Sequence, residues 1–245
     1  MRITTIAIAA VCAVALSGCG AALEAASQTD ASATTATESS EPTPQASAEE
    51  AAAEEAEPEP SDPVDPVLVE KAHGRDGDTY WYAVIIENPN KDHIWDSASV
   101  DVEAVAKDGT ILDSDSNYTV LLSGETALTG TFFDVGNEKI DHLEVRGPTA
   151  DSATSAPLDE TGKFTVSKVK ATSDDWSTTV SGTVESTFEE QQDSVEVVVI
   201  GRKGGRIRAA DFTYVDRIPS GGKARFEATA FDAPSGLKWT AYANL

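Results

Sequence analysis

The chain has 245 residues, with 18 Lys+Arg against 42 Asp+Glu and a formal net charge of −24. Such a balance disfavours nucleic acid and anionic lipid headgroups as partners. Of its two cysteines, Cys12 lies in the apolar N-terminal stretch and would leave with it, so Cys19 alone could build no intramolecular disulfide and no Cys-based zinc or redox motif, and the length allows one or two ordinary domains.

The N-terminus opens with Met1-Arg2, a minimal basic start, and residues 3–16 are almost entirely apolar or small. That stretch is too short to span a bilayer as a helix but suits the apolar core of a signal peptide. It ends in Leu16-Ser17-Gly18-Cys19, which resembles the lipobox of bacterial lipoprotein signal peptides. The resemblance implies a signal peptide over 1–18, cleavage after Gly18 and a diacylglycerol thioether on Cys19. Cys19 then attaches the mature protein to the extracytoplasmic face of the cell membrane, where paired acyl chains hold stably.

A tether follows over 19–66. Residues 20–66 carry no aromatic and no basic residue, one Gly and six Pro, with acidic runs such as Glu49-Glu50 and Glu54-Glu55. This composition buries too little apolar area to offset ordering and predicts disorder. A flexible chain of this length spans about 40 Å r.m.s., and proline and like charge extend it further.

From Val67 the pattern changes to short alternating runs of β-branched and aromatic residues, separated by Gly, Asn, Asp and Pro, which predicts β sandwiches. Strands are expected near 67–72, 79–87, 98–107, 117–122, 125–133 and 140–146. A second set is expected near 163–172, 177–187, 193–201, 205–216, 223–231 and 237–243. The reading is all-β: sandwich 1 over 67–147, a linker over 148–162 and sandwich 2 over 163–245. The two sets also match one another. Ser99-Val100-Asp101-Val102 parallels Ser194-Val195-Glu196-Val197, Tyr118 parallels Tyr214, Ser123-Gly124 parallels Ser220-Gly221, and Phe133-Asp134 parallels Phe231-Asp232, at an offset drifting from 95 to 98 residues. A tandem duplication is the reading.

An early strand ending in Glu87-Asn88-Pro89-Asn90, a Val-x-Val strand, a Gly turn and a Ser-Gly turn before a Phe-rich strand together resemble the FxLYD-type domains. Those are small immunoglobulin-like or transthyretin-like sandwiches of bacterial lipoproteins. Val105-Ala106-Lys107 and Ile200-Gly201-Arg202 occupy the place of the naming motif without its Tyr-Asp. The resemblance implies no catalytic residues and no cofactor.

Chemistry is sparse in the sequence. His73, His93 and His142 stand in no recognisable motif, and the Ser-Gly pairs are not Gly-x-Ser-x-Gly elbows. Asp113-Ser114-Asp115-Ser116-Asn117 has the 1-3-5 oxygen spacing of a calcium loop, but Tyr118 and Gly124 stand where Gly and a bidentate Glu are needed. It reads as a polar loop between strands, and no metal is expected. Asp174-Asp175 and Glu189-Glu190 read as solvated surface, and Trp81, Trp95, Trp176 and Trp239 as core or turn packing. One basic cluster stands out: Arg202, Lys203, Arg206 and Arg208 around Gly204-Gly205, a hairpin turn by composition. That tip is the candidate contact for an anionic partner, either wall-polymer phosphates or the acidic tether.

The functional expectation is a lipid-anchored, non-catalytic binding or scaffolding module with an unknown protein or wall-polymer partner. The alternative is an enzyme, or an enzyme accessory, acting on cell-wall polymer. A solute-binding lipoprotein of the transport type would need paired α/β lobes, which the strand pattern lacks.

Overall fold

Alternation of inward apolar residues sets the first group of strands: β1 (Val67–Asp76), β2 (Thr79–Asn88), β3 (His93–Val105), β4 (Ile111–Leu121), β5 (Gly124–Phe132) and β6 (His142–Arg146). A computed structural model describes residues 61–156 and 161–245. β7 (Thr154–Ser155) is a short pairing on β3. The second group is β8 (Phe164–Ser173), β9 (Ser177–Ser186), β10 (Gln192–Lys203), β11 (Arg206–Ile218), β12 (Lys223–Phe231) and β13 (Lys238–Asn244). The described chain is thus built of antiparallel sheets, as the sequence pattern implied.

The strand order repeats. Sandwich 1 stacks the sheet β1-β2-β5 on the sheet β4-β3-β6, and sandwich 2 stacks β8-β9-β12 on β11-β10-β13. Strand for strand these are the same topology, an immunoglobulin-like arrangement in which the third strand crosses to the opposite sheet. Each interior is its own core. Tyr80, Tyr82, Val84 and Ile86 of β2 meet Trp95, Val100, Val102 and Ala104 of β3 in the first. In the second, Val180 and Val184 of β9 meet Val195, Val197 and Val199 of β10.

A third core joins the sandwiches. Ala83, Ile85 and Ala127 on the outer face of the β1-β2-β5 sheet pack with Val198, Ile200 and Ile207 from the β11-β10-β13 sheet. β2 and β10 are therefore buried on both faces, which is why Tyr82-Ala83-Val84-Ile85-Ile86 and Val197-Val198-Val199-Ile200 are continuous apolar runs. Full burial of such a Val or Ile contributes about 1.5–3 kcal/mol relative to exposure. Polar contacts trim the seam. Asn244 Nδ2 donates to Ala127 O at 2.7 Å, and Thr119 Oγ1 donates to Leu245 O at 3.0 Å.

Four local expectations change. β3 begins at His93 rather than 98, because a register shift between Trp95 and Ala98 interrupts the alternation that would have marked its start. Asp113–Asn117 is not a loop: it pairs with β3 as part of β4, with Asp115 opposite Val102. β4 is a sheet edge, and polar side chains suit an edge because they oppose unwanted pairing. The linker-like segment after Gly147 is fastened as far as Ala156: Trp95 Nε1 donates to Thr149 O at 3.0 Å, and Ala156 N donates to Asp92 O at 2.8 Å. The last residues assigned to the tether are fastened as well. Ser61 N donates to Asp92 Oδ2 at 2.8 Å, and Val64 N donates to Asn90 Oδ1 at 2.9 Å. The Ser61 amide, with His93 and the Ser61 hydroxyl assisting, holds the Asp92 carboxyl down at about 2.

Candidate functional site

The lipid-attachment residue Cys19, with the signal peptide and most of the tether, lies outside the described residues. The basic tip is the β10–β11 hairpin, closed by Gly204 and Gly205 with φ of 60° and 80°. Positive φ at both central residues is what a two-residue turn matched to strand twist requires.

The tip is less free than its composition implied. Arg202 Nη2 donates to Glu70 Oε2 of β1 at 3.0 Å, and its Nη1 donates to Thr240 Oγ1 at 2.9 Å. Both members of the ion pair are largely covered, with side chains 22% and 31% exposed. Arg202 thus clamps the seam rather than facing a partner. Lys203 Nζ donates to Ser235 O at 3.2 Å, while Arg206 and Arg208 are exposed. A register shift pairs Gly201 with Ala209 and Arg202 with Ile207, so Arg208 sits in a bulge, a device that re-aims a side chain. Arg208 points toward a cleft at the seam.

That cleft has a volume of about 380 Å³ and lies between His73–Asp76 and Trp81 of sandwich 1 and β11 with the end of β12 in sandwich 2. Past Thr129, Gly130, Thr131 and Phe212, which line both, it runs into a more open groove of about 550 Å³. Gly130, opposite Tyr82 of β2, leaves room for the Tyr82 ring and hydroxyl on the interior side of sandwich 1. A Cβ there would stand 2.6 Å from Asp115 Oδ2 and closer still to the Tyr82 hydroxyl. That hydroxyl donates to Asp115 Oδ2 at 2.7 Å and accepts from Asn117 Nδ2 at 2.5 Å. The spacing that resembled a calcium loop is one face of β4, where the Asp115 carboxylate and the Asn117 amide nitrogen brace Tyr82 while Asp113 accepts from Asp134 N. Among the described residues no three His, Cys, Asp or Glu side chains converge as a metal set.

The walls are unusual for a solvent-facing surface. Phe133, Phe212, Tyr214 and Phe231 are 71%, 42%, 56% and 66% exposed, and Phe212 and Tyr214 meet edge to face with centroids 5.7 Å apart. Exposed aromatic rings gathered around a concavity mark interaction surfaces. Carboxylates lie among them. Burial raises the Asp211 carboxyl, and the Asp76 charge pushes it further in the same direction. Burial also raises Glu196, against the opposing hydrogen bond from Asn244 Nδ2 at 3.3 Å.

Of the four basic residues expected to act together, the structure brings only Arg208 to the cleft. The groove itself was not anticipated. Its signal was the pair of continuous apolar runs, which imply a second buried face on β2 and β10, and thus a seam with edges. Trp81 lies in the seam, Trp95 is in core 1, Trp239 packs on core 2, and Trp176 is exposed on the β8–β9 turn.

No protein-family model and no curated protein matches this chain. Among solved structures it is similar, over 69% of its length, to 23% of a β-glucuronidase from glycoside hydrolase family 2, with 13% sequence identity and a TM-score of 0.23. The chain therefore spans under a quarter of that enzyme's length.

Proposed function

We propose that the protein is a lipid-anchored, extracytoplasmic lipoprotein that acts as a non-catalytic binding or scaffolding module, with tandem domains of the FxLYD type. The address comes from the leader and Leu16-Ser17-Gly18-Cys19. The observation that carries the binding role is the aromatic-walled groove along the seam, bordered by Phe133, Phe212 and Tyr214. A nucleophile held by a base and an orienting group is the arrangement catalysis by side chains would need. The groove offers instead carboxylates, rings and threonines. The partner is a protein or a wall polymer.

The test uses the full chain expressed in a bacterial host that acylates lipoproteins. The wild type should fractionate with membranes, carry lipid on Cys19 and release no fragments from purified wall polymer. Cys19→Ala should leave the protein uncleaved or in the wrong fraction. An acylated, correctly cleaved Cys19→Ala protein would overturn the address. Sustained turnover of wall polymer would favour the enzyme reading, in which the raised carboxyls of Asp211 and Glu196 would serve as proton donors.

A further inference from the structure

The open half of the groove has a particular chemistry. Asp113, Asp115, Asp134 and Glu196 line it with Phe133, Phe212 and Tyr214, and no Lys, Arg or His is among its lining residues. The bonds these carboxylates make are to neutral donors. Asp113 accepts from the backbone N–H groups of Ser114 and Asp134, Asp115 from Ser116 N and the Tyr82 hydroxyl, and Glu196 from Asn244. Elsewhere acids of this chain do find cations, as Glu70 finds Arg202 and Glu185 finds Lys223. Here four acids share one concavity with three rings, and among the described residues no cationic side chain lines it. A cationic side chain laid over the face of an exposed ring gains from the ring quadrupole and from the nearby carboxylates together.

The walls add a second, independent constraint. β4, β5 and β11 each stand at the edge of their sheets. The outer side of an edge strand presents backbone donors and acceptors that a further strand can pair with. An extended peptide can use such an edge for its main chain while alternate side chains enter the groove. A small cation has no use for the edges, and an uncharged glycan has no use for four unbalanced carboxylates.

From this geometry we infer that the open groove between β4–β5 of sandwich 1 and β11 of sandwich 2 binds an extended segment of a partner protein bearing alternate Arg or Lys side chains. The inference rests on the binding-module reading and supplies its partner class. Phe212 and Tyr214 form the ring wall over which the cations lie, and Asp134 and Glu196 supply charge from opposite sandwiches, so the site exists only while the seam is closed. Burial raises the Glu196 carboxyl, the expected state of a group that lacks its cationic partner in the free protein.

The experiment titrates the purified full chain in detergent with a fluorescent octapeptide alternating arginine and threonine. The same peptide with glutamate for arginine and an uncharged amino-sugar oligosaccharide serve as comparison probes. The arginine peptide should bind, more weakly as salt rises. Phe212→Ala with Tyr214→Ala should lower affinity by about tenfold, because two cation–ring contacts are lost. Asp134→Asn with Glu196→Gln should lower it comparably and flatten the salt dependence. All four side chains lie at the groove surface, so an unchanged melt will certify the fold of each variant. If both double variants bind the arginine peptide as tightly as the wild type, the inference is overturned. Oligosaccharide binding that is lost in Phe212→Ala with Tyr214→Ala, with the arginine peptide ignored, overturns the basic occupant yet leaves the binding-module reading standing. Hydrolysis of that oligosaccharide overturns both.

Discussion

Sandwich 1 fills its interior with aromatic rings, Tyr80, Tyr82, Trp95 and Phe132, where sandwich 2 uses mainly valines around Phe226. Their strand orders are nonetheless the same. The larger difference is outside. Ile85 and Ala83 of β2 face the seam, while the matching positions of β9 are Thr183 and Ser181, which stay half-exposed. Val198 of β10 is fully buried in the seam, while its counterpart on β3 is Glu103, which pairs with Arg146. Unlike sheets therefore meet, a heterologous contact that would extend indefinitely if both free faces stayed apolar. The polar residues at the matching positions stop the stack at two. Inward positions specify each sandwich; outward positions decide assembly and, with it, where a groove can form.

The difference between the buried and the free sheet faces is concentrated at Val198. Val198→Asp places at the seam the kind of charge that Glu103 carries on the free sheet. An unpaired buried charge costs about 3–5 kcal/mol, so the variant should lose its common melt and unfold in separate steps by circular dichroism. Glu70→Ala should cost about 1 kcal/mol, since the Arg202 pair is partly exposed and its remaining bond to Thr240 persists. High salt should shrink the gap between wild type and variant in denaturant titrations.

Asp211→Asn should act in the opposite direction and raise the melting temperature by a few degrees at neutral pH. Burial and Asp76 raise the Asp211 carboxyl, so the folded state holds that proton more tightly than the unfolded state. The stability involved is fully present below the ordinary aspartate range and is lost as pH rises through the raised folded value. Melts from mildly acidic to neutral pH should accordingly decline less in the variant. Smallest per site should be the effect of Lys203→Glu, Arg206→Glu and Arg208→Glu. Their exposed heads make few contacts, and the melt should move by less than about 0.5 kcal/mol per site.

Much of this fold was legible in the chain. Val100-x-Val102 and Val195-x-Val197-x-Val199 announce inward faces by simple alternation, and the Gly204-Gly205 hairpin lies where its composition placed it. Polarity concealed the rest. Asp113–Asn117 read as a loop because an edge strand is free to be hydrophilic, and residues 148–156 read as a linker because backbone bonds to Trp95 and Asp92 leave no trace in composition. The seam was written in Ala83-Val84-Ile85-Ile86, where the between-core residues are as apolar as the core residues. Alternation alone does not separate a strand buried twice from one buried once. The groove depends on Phe212 and Tyr214 being left uncovered beside that seam, which only the packing of the two sandwiches determines.

The seam joins the two sandwiches into one unit. Calorimetry of the full chain tests this most directly. Cooperative coupling through Ile85, Val198 and Ile200 predicts a single endotherm whose calorimetric and van't Hoff enthalpies agree. Separate transitions for the two sandwiches in the wild-type protein would contradict that coupling, because a seam that opens before either core melts does not hold a groove together.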